Sequence, residues 1–239
     1  LQGHKWGWSS PGIISCFASA VIFLTYVVFR SSRHAEPLID LSLFQHRRFT
    51  SASIATFAFN LPVAGFWFTA PLFMQTVWHW SVLKSGCSIM PTPVIIFLTA
   101  TISGRYSDRG WMKRIISSGM LLSGLGLLRL FVFLDENVNY FTHYFPFAVL
   151  YGIGLGLAWS TLTGAALMGI DHEKFGVANG TNLTFRQMGG AMGVAMVIAV
   201  SGTAGVAGSA VAFQRVWLAL ALWVAVTLVF FTFAYPKDH

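Results

Sequence analysis

The chain has 239 residues, 55 % of them hydrophobic and only 10 % charged, against about a quarter charged in an ordinary globular domain. That composition excludes a disordered chain, a collagen and a soluble globular domain. The net charge of +7 does not signal nucleic acid, because no five-residue window is dense in lysine and arginine and the cations fall between apolar stretches.

The opening, residues 1–10, is polar and aromatic and begins with Leu1, so the chain reads as part of a longer product. The first apolar run is not a signal peptide, because its stronger positive flank, Arg30 and Arg33, follows it. A helix needs about 20 apolar residues to cross a bilayer, where lipid offers the backbone no hydrogen-bond partner. Seven stretches meet that need: residues 12–29, 53–77, 86–103, 115–134, 145–168, 187–203 and 216–235. Cys16 and Cys87 are too few for a disulfide framework and read as small membrane-helix residues.

Lysine and arginine mark the cytoplasmic side of short loops. Arg30, Arg33, Arg47 and Arg48 flank the first connection, and Arg105, Arg109, Lys113 and Arg114 fill the third. Lys174 and Arg186 precede the sixth span, and Lys237 is in the tail. The opposite loops hold Lys5 and Lys84, with Asp135 and Glu136 making one of them acidic. The N-terminus is therefore expected outside and the C-terminus in the cytoplasm. The connection 30–48 is long and contains Pro37. Its amphipathic run, Leu38, Ile39, Leu41, Leu43 and Phe44, is expected to lie along the inner membrane surface. The domain reading is an extra helix with a cytoplasmic linker over 1–48 and a six-helix bundle over 49–239. Six helices can be divided into two consecutive triplets of opposite insertion, as a 3+3 inverted repeat would be, a division that helix number alone does not establish.

Residues 104–114 read Gly-Arg-Tyr-Ser-Asp-Arg-Gly-Trp-Met-Lys-Arg. This turn resembles the signature cytoplasmic loop of the major facilitator superfamily, Gly-x-x-x-Asp-Arg-x-Gly-Arg/Lys-Arg/Lys. Gly104, Asp108, Arg109, Lys113 and Arg114 match, while the glycine after Asp-Arg comes one place early and Trp111 departs from the pattern. Physically, Gly104 would let two helices approach and Asp108 would accept hydrogen bonds at a helix N-terminus, a link that breaks and re-forms as two bundles rock. A positive-inside loop with one incidental acid is the plainer reading. Residues 180–193, Gly-Thr-Asn-Leu-Thr-Phe-Arg-Gln-Met-Gly-Gly-Ala-Met-Gly, resemble the Asn-x-x-Arg-Gln-x-Gly-Gly-x-x-Gly start of the penultimate helix in the fourteen-span drug:proton antiporters of the EmrB/QacA type. Residues 6–11, 36–49 and 71–75 agree with that subfamily in order. The resemblance implies an all-α membrane fold in which this chain supplies spans eight to fourteen: the C-terminal six-helix bundle plus one extra central helix.

Gly189, Gly190 and Gly193 suit close helix packing, as does the run Gly152, Gly154, Gly156, which follows no strand and is no dinucleotide fingerprint. The sequons at Asn179 and Asn182 fall on the expected cytoplasmic side and are discounted. Arg129 lies inside a span, either snorkelling outward toward Glu136 or serving as a gate or substrate contact. The resemblance implies that the first helix of each triplet lines a central cavity, which makes Asn60, Trp67, Gln75, Trp159 and Thr163 the cavity candidates. Rings with a few polar groups suit a lipophilic, often cationic, ligand. The opposing reading has Asn60 bonding a neighbouring helix and the tryptophans packing.

No acidic residue falls within a span, so the resemblance assigns proton coupling to an N-terminal half that this chain lacks. It further implies proton-coupled efflux by alternating access in a bacterial inner membrane. The partners would be a small-molecule substrate, protons, the lipid bilayer and that other half, with no nucleic acid. A carrier for a sugar, siderophore or amino acid is the alternative. A seven-span receptor or retinal protein would leave the 104–114 turn and the two triplets unexplained, and a retinal pigment would need a lysine inside a span; an intramembrane enzyme would need a nucleophile, metal cluster or acid pair at membrane depth. The sequence offers none of these, so no enzymatic role, cofactor or metal is expected.

Overall fold

In the computed structural model the seven expected spans coincide, over their described residues, with helix broken only by short turns, and residues 11–33, 40–106, 111–133, 138–201 and 210–236 are described. The helices are α1 (Pro11–Arg33), α2 (Arg47–Thr76), α3 (Val82–Ile89), α4 (Pro91–Tyr106), α5 (Met112–Phe133), α6 (Phe145–Leu167), α7 (Phe175–Ser201) and α8 (Ala210–Ala234). Among the described residues, six helical stretches are long and apolar enough to cross a membrane, with α3 and α4 together making one of them. In α1 the apolar stretch is Ile14–Phe23, shorter than a crossing, and Val21, Ile22 and Phe23 are exposed.

Between α1 and α2, Asp40 caps a short 3-10 turn, Leu41–Gln45, by accepting from the Ser42 backbone N–H at 2.9 Å. Leu43 is buried, and Phe44 packs against Phe49 of α2 and Phe185 of α7. This corrects the expectation of a surface-lying run: Leu41 is exposed, but Leu43 and Phe44 turn into the bundle, while Leu38 and Ile39 lie outside the described residues. Asp40 also pairs with Lys174, just before α7, at 2.7 Å. The Lys174 ammonium, and after it Ser42, hold the Asp40 carboxyl at about 2, below its ordinary 3.8.

α2 is the hub of the bundle. It contains Pro62, which has no N–H to give the carbonyl four residues earlier, Ala58. The Trp223 indole N–H of α8 donates to that carbonyl at 2.9 Å. Higher on α2, Phe66 meets Phe147 and Tyr151 of α6, and Phe73 meets Phe213 and Trp217 of α8. The chain then reverses at His79, whose φ of 53° lies in the left-handed region, and Ser81 caps α3. Pro91 ends that helix and starts α4.

The sixth span starts earlier than expected, at Phe175 instead of residue 187. Its first half looks polar because its packing face is polar: buried Asn182 donates to Ser53 Oγ and Thr56 Oγ1 of α2 at 3.2 and 3.3 Å. Arg186, expected in a loop, therefore stands well inside a helix.

The helices pair in a repeating pattern. α2 packs on α7 and α8, while α6 packs on α4 and α5; α2 also meets α6, and α5 meets α8. More than half of the apolar stretch is buried in α2 and α6, but less than a fifth in the stretches containing α4 and α7.

Candidate functional site

A cleft of about 250 Å³ opens between α4, α6 and α7. Its walls are Ile96 and Ala100 of α4, Gly156, Trp159, Ser160 and Thr163 of α6, and Arg186 of α7. The helical repeat explains the set: residues 156, 159, 160 and 163 are three or four apart and share one face of α6. The Arg186 guanidinium lies over the Trp159 ring, 4.3 Å from its centre. The Trp159 indole N–H is buried and has no hydrogen-bond partner. Ser160 donates to its own helix at Gly156 O, 2.8 Å, and shares a 2.9 Å bond with Ser103 of α4. Thr163 leans on Trp159 O at 3.5 Å.

Of the five cavity candidates, the structure brings Trp159 and Thr163 together in this cleft. Asn60 is buried and donates its amide to the Arg186 carbonyl at 2.7 Å, so it bridges α2 to α7 just behind the cleft. Trp67 packs partly buried against the core beside Phe66, and Gln75 is partly buried near the far end of α2; neither lines the cleft. Sequence reasoning missed Ser160 and Arg186. The signal for Arg186 was present, because residues 178, 182, 186, 189 and 193 fall on one helical face. Placing Arg186 with the loop cations hid it.

At the loop between α4 and α5, Asp108 and Arg109 lie outside the described residues. The close approach expected at Gly104 is absent among the described residues, since a Cβ there meets nothing within 4 Å. Lys113 Nζ donates to the Tyr235 carbonyl just past α8 at 2.7 Å, and Arg114 lies over Trp111. The glycines of α7 do pack closely: a Cβ on Gly189 or Gly193 would overlap the carbonyls of Phe57 or Leu61 of α2, and one on Gly190 would touch the Asn60 amide at 3.0 Å. Arg129 donates to Thr142 O at 2.8 Å and covers the Phe133 ring; Glu136 lies outside the described residues. None of the described acids, Asp40, Asp171 and Glu173, pairs with Arg186. No cluster of three His, Cys, Asp or Glu side chains fit to hold a metal occurs among the described residues.

The sequence pattern of the Major Facilitator Superfamily matches residues 3–194. The chain belongs to the major facilitator superfamily. Its relatives in this superfamily include the multidrug transporter protein MdtP of Bacillus subtilis, 30 % identical over 199 residues that make up 83 % of this chain and 36 % of that protein. The colistin resistance protein EmrB of Acinetobacter baumannii is 26 % identical over 82 % of this chain and 38 % of its own length. The tetracycline resistance determinant of Streptomyces rimosus is 26 % identical over 83 % of this chain and 57 % of its own. The chain thus spans between about a third and somewhat over half of these relatives. It is an all-α, integral multi-pass membrane protein.

Proposed function

We propose that this chain supplies the substrate-binding bundle of a proton-driven exporter of small lipophilic compounds working by alternating access. The observation that carries this reading is the cleft: three helices open near their middles around an aromatic ring, two hydroxyls and apolar walls, the usual make-up of a small-molecule site. The relatives' names, which speak of multidrug transport and of colistin and tetracycline resistance, support export. Trp159 and Thr163, joined by Ser160 and Arg186, are the proposed substrate contacts. Asn60, Gly189, Gly190 and Gly193 hold α2 and α7 together. Gly104, Asp108, Arg109, Lys113 and Arg114 form the proposed conformational-switch loop.

The division at residue 48 and the 3+3 repeat belong to the same proposal. The pairing pattern supports them: exchanging α2 with α6, α4 with α7, and α5 with α8 maps α2–α7 onto α6–α4 and α2–α8 onto α6–α5. A cytoplasmic C-terminus in a bacterial inner membrane is also proposed, on the cation asymmetry. Arg215 falls in the outer loop between the last two expected spans and in the second turn of α8, and it narrows that asymmetry by one cation. The test is uptake of a fluorescent drug panel into everted vesicles from cells expressing the gene. Accumulation driven by a pH gradient and collapsed by a protonophore is expected; accumulation indifferent to the protonophore would overturn proton coupling.

A further inference from the structure

We infer that the cleft selects compounds carrying a carboxylate or similar anionic group on a small apolar body, and disfavours cations. This rests on the cleft being the ligand site proposed above. An aromatic wall ordinarily attracts a cation through the negative face of its ring. Here the Trp159 face is already covered by the protein's own cation, the Arg186 guanidinium 4.3 Å from the ring centre. That guanidinium stays protonated, and none of the described carboxylates pairs with it.

The charged hydrogen-bonding capacity left over is of one kind. Arg186 offers N–H donors and no acceptor, and Trp159 offers a single indole N–H, buried and without a partner. The hydroxyls of Ser160 and Thr163 spend their protons within the bundle, on Gly156 O and Trp159 O, with Ser103 also bonded to Ser160, which leaves only their uncharged lone pairs to a ligand. A ligand therefore meets one charged group, the Arg186 fork, and a carboxylate, with two oxygens matched to it, answers it best; the Trp159 N–H adds a donor to any ligand atom that reaches it. Ile96 and Ala100 face the rest of the ligand with apolar surface. Asn60 fixes the backbone from which Arg186 projects by donating to its carbonyl at 2.7 Å. That bond involves no side-chain atom of Arg186, so substitution there leaves it in place.

The test is a matched pair of probes, 2-naphthoate and 2-naphthylmethylammonium, measured by equilibrium dialysis against the full chain in phosphatidylcholine nanodiscs, with empty nanodiscs subtracted. Circular dichroism and size-exclusion chromatography check that each variant is folded. Wild type is expected to bind naphthoate about tenfold more tightly than the ammonium probe. Arg186→Gln should erase that preference by weakening naphthoate about tenfold while leaving the ammonium probe unchanged or tighter. Trp159→Phe keeps a ring but loses the N–H, and should weaken naphthoate alone by about threefold. This second variant, with the wild-type preference, keeps the test decisive if Arg186→Gln does not fold. Equal or stronger binding of the ammonium probe, with Trp159→Phe or Arg186→Gln changing it, overturns anion selection but leaves the cleft as the ligand site. Naphthoate binding indifferent to both variants overturns the inference, and so does binding of neither probe, which removes the ligand site as well.

Discussion

Two parallel helix pairs can be compared directly, α2 with α7 and α4 with α6. Each meets on a pair of glycines four residues apart, Gly189 and Gly193 in the first and Gly152 and Gly156 in the second. In the first pair the glycines abut backbone: a Cβ would overlap the carbonyls of Phe57 and Leu61. In the second they face mainly side chains, with Ile95 Cγ2 2.9 Å from a Cβ on Gly152 and the Thr99 hydroxyl crowding one on Gly156, whose nearest carbonyl, Ile96 O, is at 2.7 Å. The crosslinks differ likewise. The Asn60 and Asn182 amides span the first seam at 2.7 to 3.3 Å, whereas in the second Thr99 and Ser103 reach carbonyls only at 3.5 and 3.4 Å and one hydroxyl pair, Ser103 with Ser160, meets at 2.9 Å, each partner also bonded to its own helix. Lipid gives helices little hydrophobic reason to associate, so small residues and interhelical hydrogen bonds set their spacing. A seam closed on backbone has one register. A seam closed on side chains has slack, and the cleft borders that second seam.

The comparison is most sharply tested by adding a methyl group to each. Gly189→Ala has only backbone to displace and should cost about 3 kcal/mol or prevent folding, whereas Gly152→Ala meets Ile95 Cγ2 and Cβ at 2.9 and 3.0 Å and needs only a small shift of α4, for about 1.5 kcal/mol. Thermal unfolding of the detergent-solubilised chain reads both, and equal losses would dissolve the distinction. Next come the crosslinks: Asn182→Ala removes two bonds from a buried amide and should cost about 1 kcal/mol, against about 0.5 kcal/mol for Ser103→Ala, which removes the bond shared with Ser160 while Ser160 keeps Gly156 O. The same melting series ranks them, and a larger loss for Ser103→Ala would reverse the argument.

The smallest effect belongs to the rim of the first seam, where Asp40 meets Lys174. The Asp40 carboxyl is held at about 2 by the Lys174 and Ser42 contacts, below its ordinary 3.8. Its contribution is therefore complete above pH 3.8 and disappears as the pH falls through about 2. The Lys174 side chain is 45 % exposed, and screening limits the effect to about 0.5 kcal/mol at neutral pH. The melting difference between wild type and Asp40→Asn should be level at pH 5 to 7 and shrink in strong acid. A difference that grows with acid would contradict the pair's role.

The fold was legible where side chains report their surroundings directly. Long apolar runs gave the crossings, and Gly189, Gly190 and Gly193 marked a close seam before any neighbour was known. Legibility failed where a helix turns a polar face to another helix. Thr181, Asn182 and Arg186 look like loop residues by composition, yet they follow the helical repeat and pack inward, which moved the start of α7 to Phe175. The cleft was half visible: Trp159 and Thr163 stand one turn apart in sequence, whereas their meeting with Arg186 and Ile96 depends on which helices lie side by side. Trp67 and Gln75 satisfied the same residue-type criterion on α2 and fell elsewhere, because residue type does not state a direction.

The proline of α2 bears on how the chain is made. Ala58 O loses its helical donor at Pro62 and is satisfied by Trp223 of α8, made 165 residues later in the chain. Until then that carbonyl faces either lipid, where an unmatched polar group is costly, or a temporary partner. The middle of the hub helix is therefore completed only when α8 arrives. A chain that stops short of residue 223 would lose more than one helix's share of order, because its centre would be left waiting for a donor that never comes.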